Sequence, residues 1–315
     1  MGRNFLYPGW PATDVMIERR PVIRHIATFY DSPVIAVADF ERYVQIWDID
    51  SQRRIADLET TLDFGGNRLA ITRDGQHCAV GAYHIHGVAL YETKDGTEVW
   101  RRKDLKKVQS IRASVDGQRL LCGFEGKSFE LLDVKTGRSK PSLRGVKDVF
   151  ESVYDDLMII DTKGRDFKLA NAANKQIATV PRTTFAALGF AFAPGKLCIT
   201  ESGGSTRCYD TRTGKELWEH NPGNGIHALD LTYDESTQMF AAITWPYQKG
   251  GEHQLVTLHP DDGEAVRRTA ITGAHEFAFC SNGSAFITSD GKIRNTATAE
   301  VKGVLNFFPF TEKAC

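Results

Sequence analysis

The sequence predicts an all-β fold, a single seven-bladed β-propeller of four-stranded antiparallel blades. Two observations predict it. Turn signals recur at intervals of 39 to 48 residues, and short runs rich in β-branched and aromatic residues lie between them. No window of the sequence shows a sustained helical period. Seven such units arranged in a ring leave few strand edges uncovered.

The turns form two series that stay in phase along the chain. The first series begins at Asp31, Asp74, Asp116, Asp155, Pro194, Asp234 and Asn282. The second series begins at Asp50, Lys94, Lys135, Ala173, Arg212 and Asp262. Together they predict blades at about 22–60, 66–103, 107–143, 145–180, 184–221, 225–271 and 273–310. We therefore expect one propeller domain over residues 21–310, an N-terminal extension over 1–20 and a C-terminal tail over 311–315.

Two segments compete to complete blade seven. Residues 15–20, VMIERR, form an N-terminal candidate strand, and residues 301–308, VKGVLNFF, form a C-terminal one. Both segments cannot occupy the same place. We favour the C-terminal segment, in which case the N-terminal one caps or augments a sheet edge.

Sequence motifs connect the repeat to a known superfamily. The run YVQIWDI contains Trp47-Asp48, and similar turn-and-strand segments span Tyr91 to Trp100 and Tyr209 to Trp218. The chain thus resembles the WD-repeat and quinoprotein-like β-propellers as a divergent member, with a single WD dipeptide and no early Gly-His pair. The resemblance implies that the connections from strand four to the next blade, and from strand two to strand three, share one side. We call this side the loop-rich face.

Composition excludes several classes of function. The 39 Lys and Arg residues balance 40 Asp and Glu residues, and the net charge is -1. No overall field therefore attracts the protein to nucleic acid or to an anionic membrane. No apolar stretch approaches the roughly 20 residues that cross a bilayer. The lack of a secretory signal, with six cysteines that form no CxxC, predicts buried free thiols and a cytoplasmic location.

No linear motif for catalysis or for a cofactor occurs in the sequence. It contains no G-x-S-x-G, no H-E-x-x-H, no P-loop and no dinucleotide fingerprint. We therefore expect a non-enzyme without a cofactor. The alternative is a metal-assisted hydrolase of the propeller-lactonase type, because its site is built from scattered residues that no linear motif reveals.

The longest interval between turns contains an aromatic insertion in blade six. It includes Trp245, Tyr247 and Lys249. Aromatic side chains on a loop are effective anchors for a partner, so we predict a binding site here. The alternative is that Trp245 packs between blades and Tyr247 covers it.

A basic run between blades two and three provides a second candidate. It contains Arg101, Arg102, Lys106 and Lys107, and we add Arg42 and Arg165 from other loops of the same face. These cations predict a partner with an acidic surface. The alternative is a solvated loop that keeps the face soluble.

His84 and His86 point the same way if their backbone is extended. We assign them to the polar centre of the partner site and predict no metal. If a metal is bound after all, this pair supplies the candidate ligands.

These observations favour a non-enzymatic protein-interaction propeller that recognises its partner through the loop-rich face. Such a protein acts as a scaffold subunit, or as a dedicated inhibitor or immunity-type binder, and the residues do not choose between these roles. A small-ligand-binding propeller is the third interpretation. It predicts equivalent aromatic and polar positions in every blade, which this chain lacks.

Overall fold

Seven four-stranded antiparallel sheets make up the structure, as the sequence predicts. A computed structural model describes residues 23–39, 43–60, 68–82, 87–125, 129–140, 145–162, 166–183, 187–201, 204–223, 226–246, 252–272 and 276–307. Within these residues no helix occurs, and thus no helix that could cross a membrane. In every sheet the spatial order of the strands is their order along the chain.

The first strand of each blade lines the central channel and the fourth lies at the outside. The innermost strands are β1 (Ile23–Ala27), β5 (Arg68–Ile71), β9 (Val108–Ala113), β13 (Val146–Glu151), β17 (Ala187–Ala193), β21 (Ile226–Asp234) and β25 (Phe277–Cys280). The second strands are β2 (Val34–Asp39), β6 (His77–Gly81), β10 (Arg119–Phe124), β14 (Leu157–Thr162), β18 (Lys196–Glu201), β22 (Met239–Pro246) and β26 (Ala285–Thr288). Their alternate residues face the two neighbouring blades, so both strands are apolar throughout much of their length.

The outer half of each blade is more polar. The third strands are β3 (Tyr43–Asp48), β7 (Val88–Glu92), β11 (Glu130–Asp133), β15 (Phe167–Asn171), β19 (Thr206–Asp210), β23 (His253–Leu258) and β27 (Lys292–Asn295). The fourth strands are β4 (Arg53–Glu59), β8 (Glu98–Arg102), β12 (Ser139–Lys140), β16 (Gln176–Val180), β20 (Glu216–His220), β24 (Ala265–Ile271) and β28 (Val301–Val304). Blade seven is thus completed by β28, the C-terminal alternative. Residues 15–20, and the predicted extension and tail, lie outside the described residues.

The apolar core is divided into clusters that lie between adjacent blades. Among the described residues, each of the seven blade-to-blade interfaces has one such cluster. The cluster between blades seven and one contains Trp47, whose ring meets Phe307 edge to face at 5.9 Å. Thr28 Oγ1 donates to Phe279 O at 2.7 Å across the same interface. The ring is therefore closed by side-chain packing between two complete sheets.

Trp100 and Trp218 lie on outer strands, and each contacts the next blade. Trp218 Nε1 donates to Pro260 O at 2.9 Å, and Trp100 Nε1 donates to Val134 O at 2.7 Å. Each indole lies against a glycine with positive φ in the turn between strands three and four of the following blade. A Cβ at Gly263 would lie 2.4 Å from the Trp218 ring, so this contact requires glycine.

Five of the six cysteines are buried free thiols, as the sequence predicts, and Cys315 lies outside the described residues. Burial raises the pKa of the Cys78 and Cys122 thiols, since it disfavours the thiolate.

Replacing Trp47, Trp100 or Trp218 by Ala is expected to lower the free energy of unfolding by about 3–5 kcal/mol each, because each substitution leaves a cavity at a blade interface. Denaturant unfolding followed by circular dichroism measures this change. Unchanged transition midpoints in all three variants would show that the interfaces are assigned wrongly.

Gly263→Ala is expected to cost about 2–4 kcal/mol, since the methyl group adds a clash with Trp218 to the strain of a positive φ. The matched control is Gly195→Ala, where φ is +71° and no atom lies within 4 Å of the added Cβ. It should cost only about 1–2 kcal/mol. Equal losses in the same unfolding assay would refute the packing of the indole on the turn.

Candidate functional site: the central channel and the loop-rich face

The central channel is a cavity of about 730 Å³ lined by residues of all seven innermost strands. The innermost strands run in the same direction, so their first residues lie towards the loop-rich face and their last residues towards the opposite face. Polar lining residues occur along the length of these strands, from His25 and Glu276 to Arg112 and Tyr233. Cavities of this size commonly hold small ligands.

β-bulges place several of these polar groups. The pairing of β1, β9, β13, β17 and β21 with their neighbouring strands shifts register close to the loop-rich end. His25, Asp148 and Asp230 each follow such a shift directly. A bulge bends the strand and re-aims its side chains, so an irregular ladder here directs polar groups towards the cavity.

Asp148 and Asp230 share a local arrangement. Each carboxylate accepts the backbone N–H of the next residue, from Val149 at 2.9 Å and from Leu231 at 2.8 Å. Burial raises the pKa of Asp230 to about 6, against the opposing effects of the Leu231 N–H and the Arg112 charge. Burial likewise raises the pKa of Asp148, although Arg112 opposes it. The environment of both carboxyl groups therefore disfavours their ionised form.

Arg112 lies on the wall that these carboxylates face. Its guanidinium stacks over the Phe150 ring, with Cζ 3.9 Å from the centroid, and Nη2 lies 3.7 Å from Asp148 Oδ2. Phe150 in turn packs against Phe190 with centroids 4.1 Å apart. The cation therefore rests on an aromatic support built from blades four and five.

His25 is neutral at physiological pH. Burial, together with the charges of Arg68 and Arg112, lowers its pKa to about 4. Its Nδ1 accepts the Leu69 N–H at 3.2 Å, so Nε2 carries the single ring proton. The imidazole thus joins the innermost strands of blades one and two, and its Nε2–H is its one donor.

Three tyrosines cross the channel at its opposite end. The Tyr30 hydroxyl on blade one hydrogen-bonds the Tyr154 hydroxyl on blade four and donates to Tyr233 O on blade six at 2.9 Å. Tyr154 also meets both other rings edge to face at 5.9 Å. Because these residues come from distant blades, their contacts span the channel and narrow it towards the face of the strand one-to-two turns.

Trp245 is the best-placed of the predicted partner residues. It lies at the end of β22 with 40% of its surface exposed. Its ring is nearly parallel to that of His253 at 6.0 Å, and His253 contacts Phe277 at 4.8 Å. These three rings form a row, which we call the aromatic ledge, over the junction of blades six and seven. Phe277 also lines the channel, so the ledge reaches its rim.

The basic run is partly neutralised within the structure. Arg102 donates to both carboxylate oxygens of Asp104, at 2.8 and 2.7 Å, and to Gly137 O at 2.8 Å. Arg101 donates to Glu98 Oε2 and to the Tyr91 hydroxyl. Both guanidinium groups thus stabilise the fold through hydrogen bonds within the protein.

The lysines of the same run are exposed. Lys107 Nζ lies 3.5 Å from Glu125 Oε2, and Lys106 makes no ion pair with any described residue. Blades two and three lie across the ring from blade six, so the structure places the channel between these lysines and Trp245.

The remaining predicted site residues, Arg42, His84, His86, Arg165, Tyr247 and Lys249, lie outside the described residues. Among the residues that are described, no group of three or more His, Cys, Asp or Glu side chains is arranged to hold a metal ion.

The channel residues were missed in the sequence. A signal for them exists, since VQSIRA and VKDVFE carry charged residues between the apolar residues of short strands. An isolated strand does not show which of its residues face the ring axis, so this signal is recognisable only once the innermost strands are known.

Comparisons with known proteins support the fold. No model of a known protein family matches the sequence, and no curated protein matches it significantly. The chain is similar to the β-propeller domain of Myceliophteria thermophila Cps50 (Swd1), with a TM-score of 0.66 and 12% identity over 88% of this chain and 94% of that one. It is also similar to the computationally designed Ika8 protein, with a TM-score of 0.60 and 15% identity over 90% and 86% of the two chains. At these identities the likeness shows the fold alone, and the WD-repeat resemblance in sequence stays a prediction.

Asp230→Asn is expected to raise the melting temperature at about pH 7.5 and to leave it nearly unchanged below about pH 4. The raised pKa means that the native state prefers the protonated carboxyl, so the ionised group costs stability once the pH rises through about 6. We expect the free energy of unfolding to rise by about 1–2 kcal/mol at neutral pH, a figure that allows for the partial exposure of the Asp230 side chain. Scanning calorimetry across this pH range measures it, and a gain of the same size at low pH would contradict the electrostatic cause.

Proposed function

We propose that this protein is a non-enzymatic protein-interaction propeller, which recognises a partner through its loop-rich face as a scaffold subunit or as a dedicated inhibitor or immunity-type binder. The observation that carries the proposal is the aromatic ledge of Trp245, His253 and Phe277. The indole is 40% exposed, and its ring lies nearly parallel to that of His253 at 6.0 Å. A preorganised aromatic surface loses little conformational entropy on binding, which is typical of interface anchors.

The charges on the same face support an acidic partner surface. Because Arg101 and Arg102 are engaged within the chain, the exposed lysines of the run, including Lys106, carry this part of the proposal. A partner that contacts both these lysines and Trp245 would span the channel mouth. The buried free thiols fit a reducing compartment, and we propose a cytoplasmic location.

Trp245→Ala is expected to remove the partner from quantitative affinity capture in native lysate, because loss of a central aromatic anchor weakens binding by roughly 30-fold or more. The matched control is Leu217→Ala, another exposed apolar residue, which lies on the outer strand β20 of blade five with 46% exposure. This control should retain the partner. Both variants are first checked for wild-type melting temperatures.

A partner that the Trp245 variant retains as well as the wild type does would exclude the ledge as the anchor. Lys106→Ser provides a separate readout for the acidic surface. It should slow association and reduce the salt dependence of binding to the captured partner, and an unchanged salt dependence would refute the charge complementarity.

A further inference from the structure

Three polar groups of the channel lining have hydrogen-bonding capacity that the described part of the chain does not use. They are the Arg112 guanidinium, the His25 Nε2–H and one oxygen of Asp230. All three groups line the same cavity, so a molecule inside it can contact them together. A ligand with complementary groups would provide their hydrogen-bond partners.

Arg112 offers the clearest unused donors. Its closest anionic neighbour, Asp148 Oδ2, is 3.7 Å away, which is beyond hydrogen-bond distance. No described residue accepts a hydrogen bond from this guanidinium. The Phe150 ring covers one face of the group, so its N–H edge is free to bind a carboxylate in the plane. His25 adds a neutral donor nearby, since the Arg112 charge is one of those that lower the pKa of this imidazole.

Asp230 provides the opposite charge on blade six, across the ring from blade three. Its Oδ1 accepts the Leu231 N–H, and among the described residues no group donates to Oδ2. Arg112 is near enough to influence the pKa of this carboxyl, so the two groups belong to one site. An ammonium group is the ligand chemistry that best satisfies a carboxylate in such a place.

Other groups of the channel wall define the surroundings of this pair. Arg68 donates through Nε to Gln109 O at 2.7 Å. Asp148 lies behind the lining, where it accepts the Val149 N–H, hydrogen-bonds Ser110 and pairs with Arg112. Glu276 lines the channel on blade seven. An apolar wall completes the site, formed by Phe150, Phe190, Leu188 and Phe277. The cavity of about 730 Å³ exceeds the volume of a single amino acid.

We propose that the channel binds a small zwitterion of the α-amino acid type. Arg112 and the His25 Nε2–H hold its carboxylate, Asp230 holds its ammonium group, and its side chain lies against the apolar wall of Phe150 and Phe190. The two charges of the ligand pair with opposite charges on facing sides of the channel, and Arg112 is then shared between the ligand carboxylate and Asp148. This site shares Phe277 with the aromatic ledge, but it does not depend on the proposed partner.

The test begins with thermal-shift screening of the purified full chain against the standard L-amino acids. The amino acid with the largest shift is then compared by isothermal titration calorimetry with its two half-molecules, the acid that lacks the amine and the amine that lacks the carboxylate. We expect the zwitterion to bind at least about tenfold more tightly than either half, because each half loses one charge-assisted contact.

Variants assign the two contacts. Arg112→Gln should weaken binding of the zwitterion by about ten- to a hundredfold, so that it binds no more tightly than the amine. Asp230→Asn should leave the zwitterion binding no more tightly than the acid. The control is Arg212→Gln, in the turn between strands three and four of blade five, where 87% of the side chain is exposed. It should bind as the wild type does.

The pH dependence gives a readout that does not require a variant to fold. Wild-type affinity for the zwitterion should fall as the pH is lowered from about 7.5 to about 5, where Asp230 takes up a proton, while affinity for the half-molecule acid should not fall in this way. No saturable binding of any amino acid to the folded wild type would overturn the proposal. Equal affinity for zwitterion and half-molecules, or unchanged affinity in the Arg112 variant, would also overturn it.

Discussion

The fold depends on the apolar contact between one blade and the next. A single four-stranded sheet with apolar residues on both faces cannot shield them from water, so each blade needs a neighbour on either side. The clusters that run from Ala27 and Leu58 in blade one around to Ile287 and Leu305 in blade seven meet this need in turn. The last interface brings the two ends of the repeat together. Within the described residues all four strands of blade seven are consecutive, and side-chain packing together with hydrogen bonds such as Asn282 N–H to Tyr30 O at 2.7 Å joins it to blade one.

The need for contact between neighbouring blades also applies to the outer strands. Each fourth strand must align with the turn of the next blade, and Trp218 does this through a hydrogen bond to Pro260 O and contact with Gly263. Arg102 performs a related role between blades two and three by donating to Gly137 O. A residue type that is usually interpreted as a solvent-exposed charge is thus part of the interface. This explains why a basic run in the sequence does not translate directly into a basic surface.

The channel departs from this apolar rule. His25, Arg112 and Asp230 lie on innermost strands that line the cavity, and register shifts directly precede the first and last of them. Burial moves the pKa of both His25 and Asp230 away from their ordinary values, so these groups disfavour the folded state when ionised. Groups of this kind concentrate at functional sites, because a stable fold can carry them where a ligand compensates for their burial. The Tyr30 hydroxyl, in contrast, hydrogen-bonds other residues of the protein. The donors and acceptors of Arg112, His25 and Asp230 that no described residue uses therefore point to a ligand.

The sequence by itself determined the seven-unit repeat and the strand content. These features are local: turn residues such as Gly96 and Gly214 fix where a hairpin reverses, and the alternation of residues within a strand fixes which ones are buried. Only the tertiary structure decided that Arg112 and Asp230 share one cavity, that Arg102 pairs with Asp104, and that β28 completes the ring. Those relationships depend on how blades far apart in the chain are brought around a common axis. That arrangement is set by packing at seven interfaces, and no single segment of the sequence contains it.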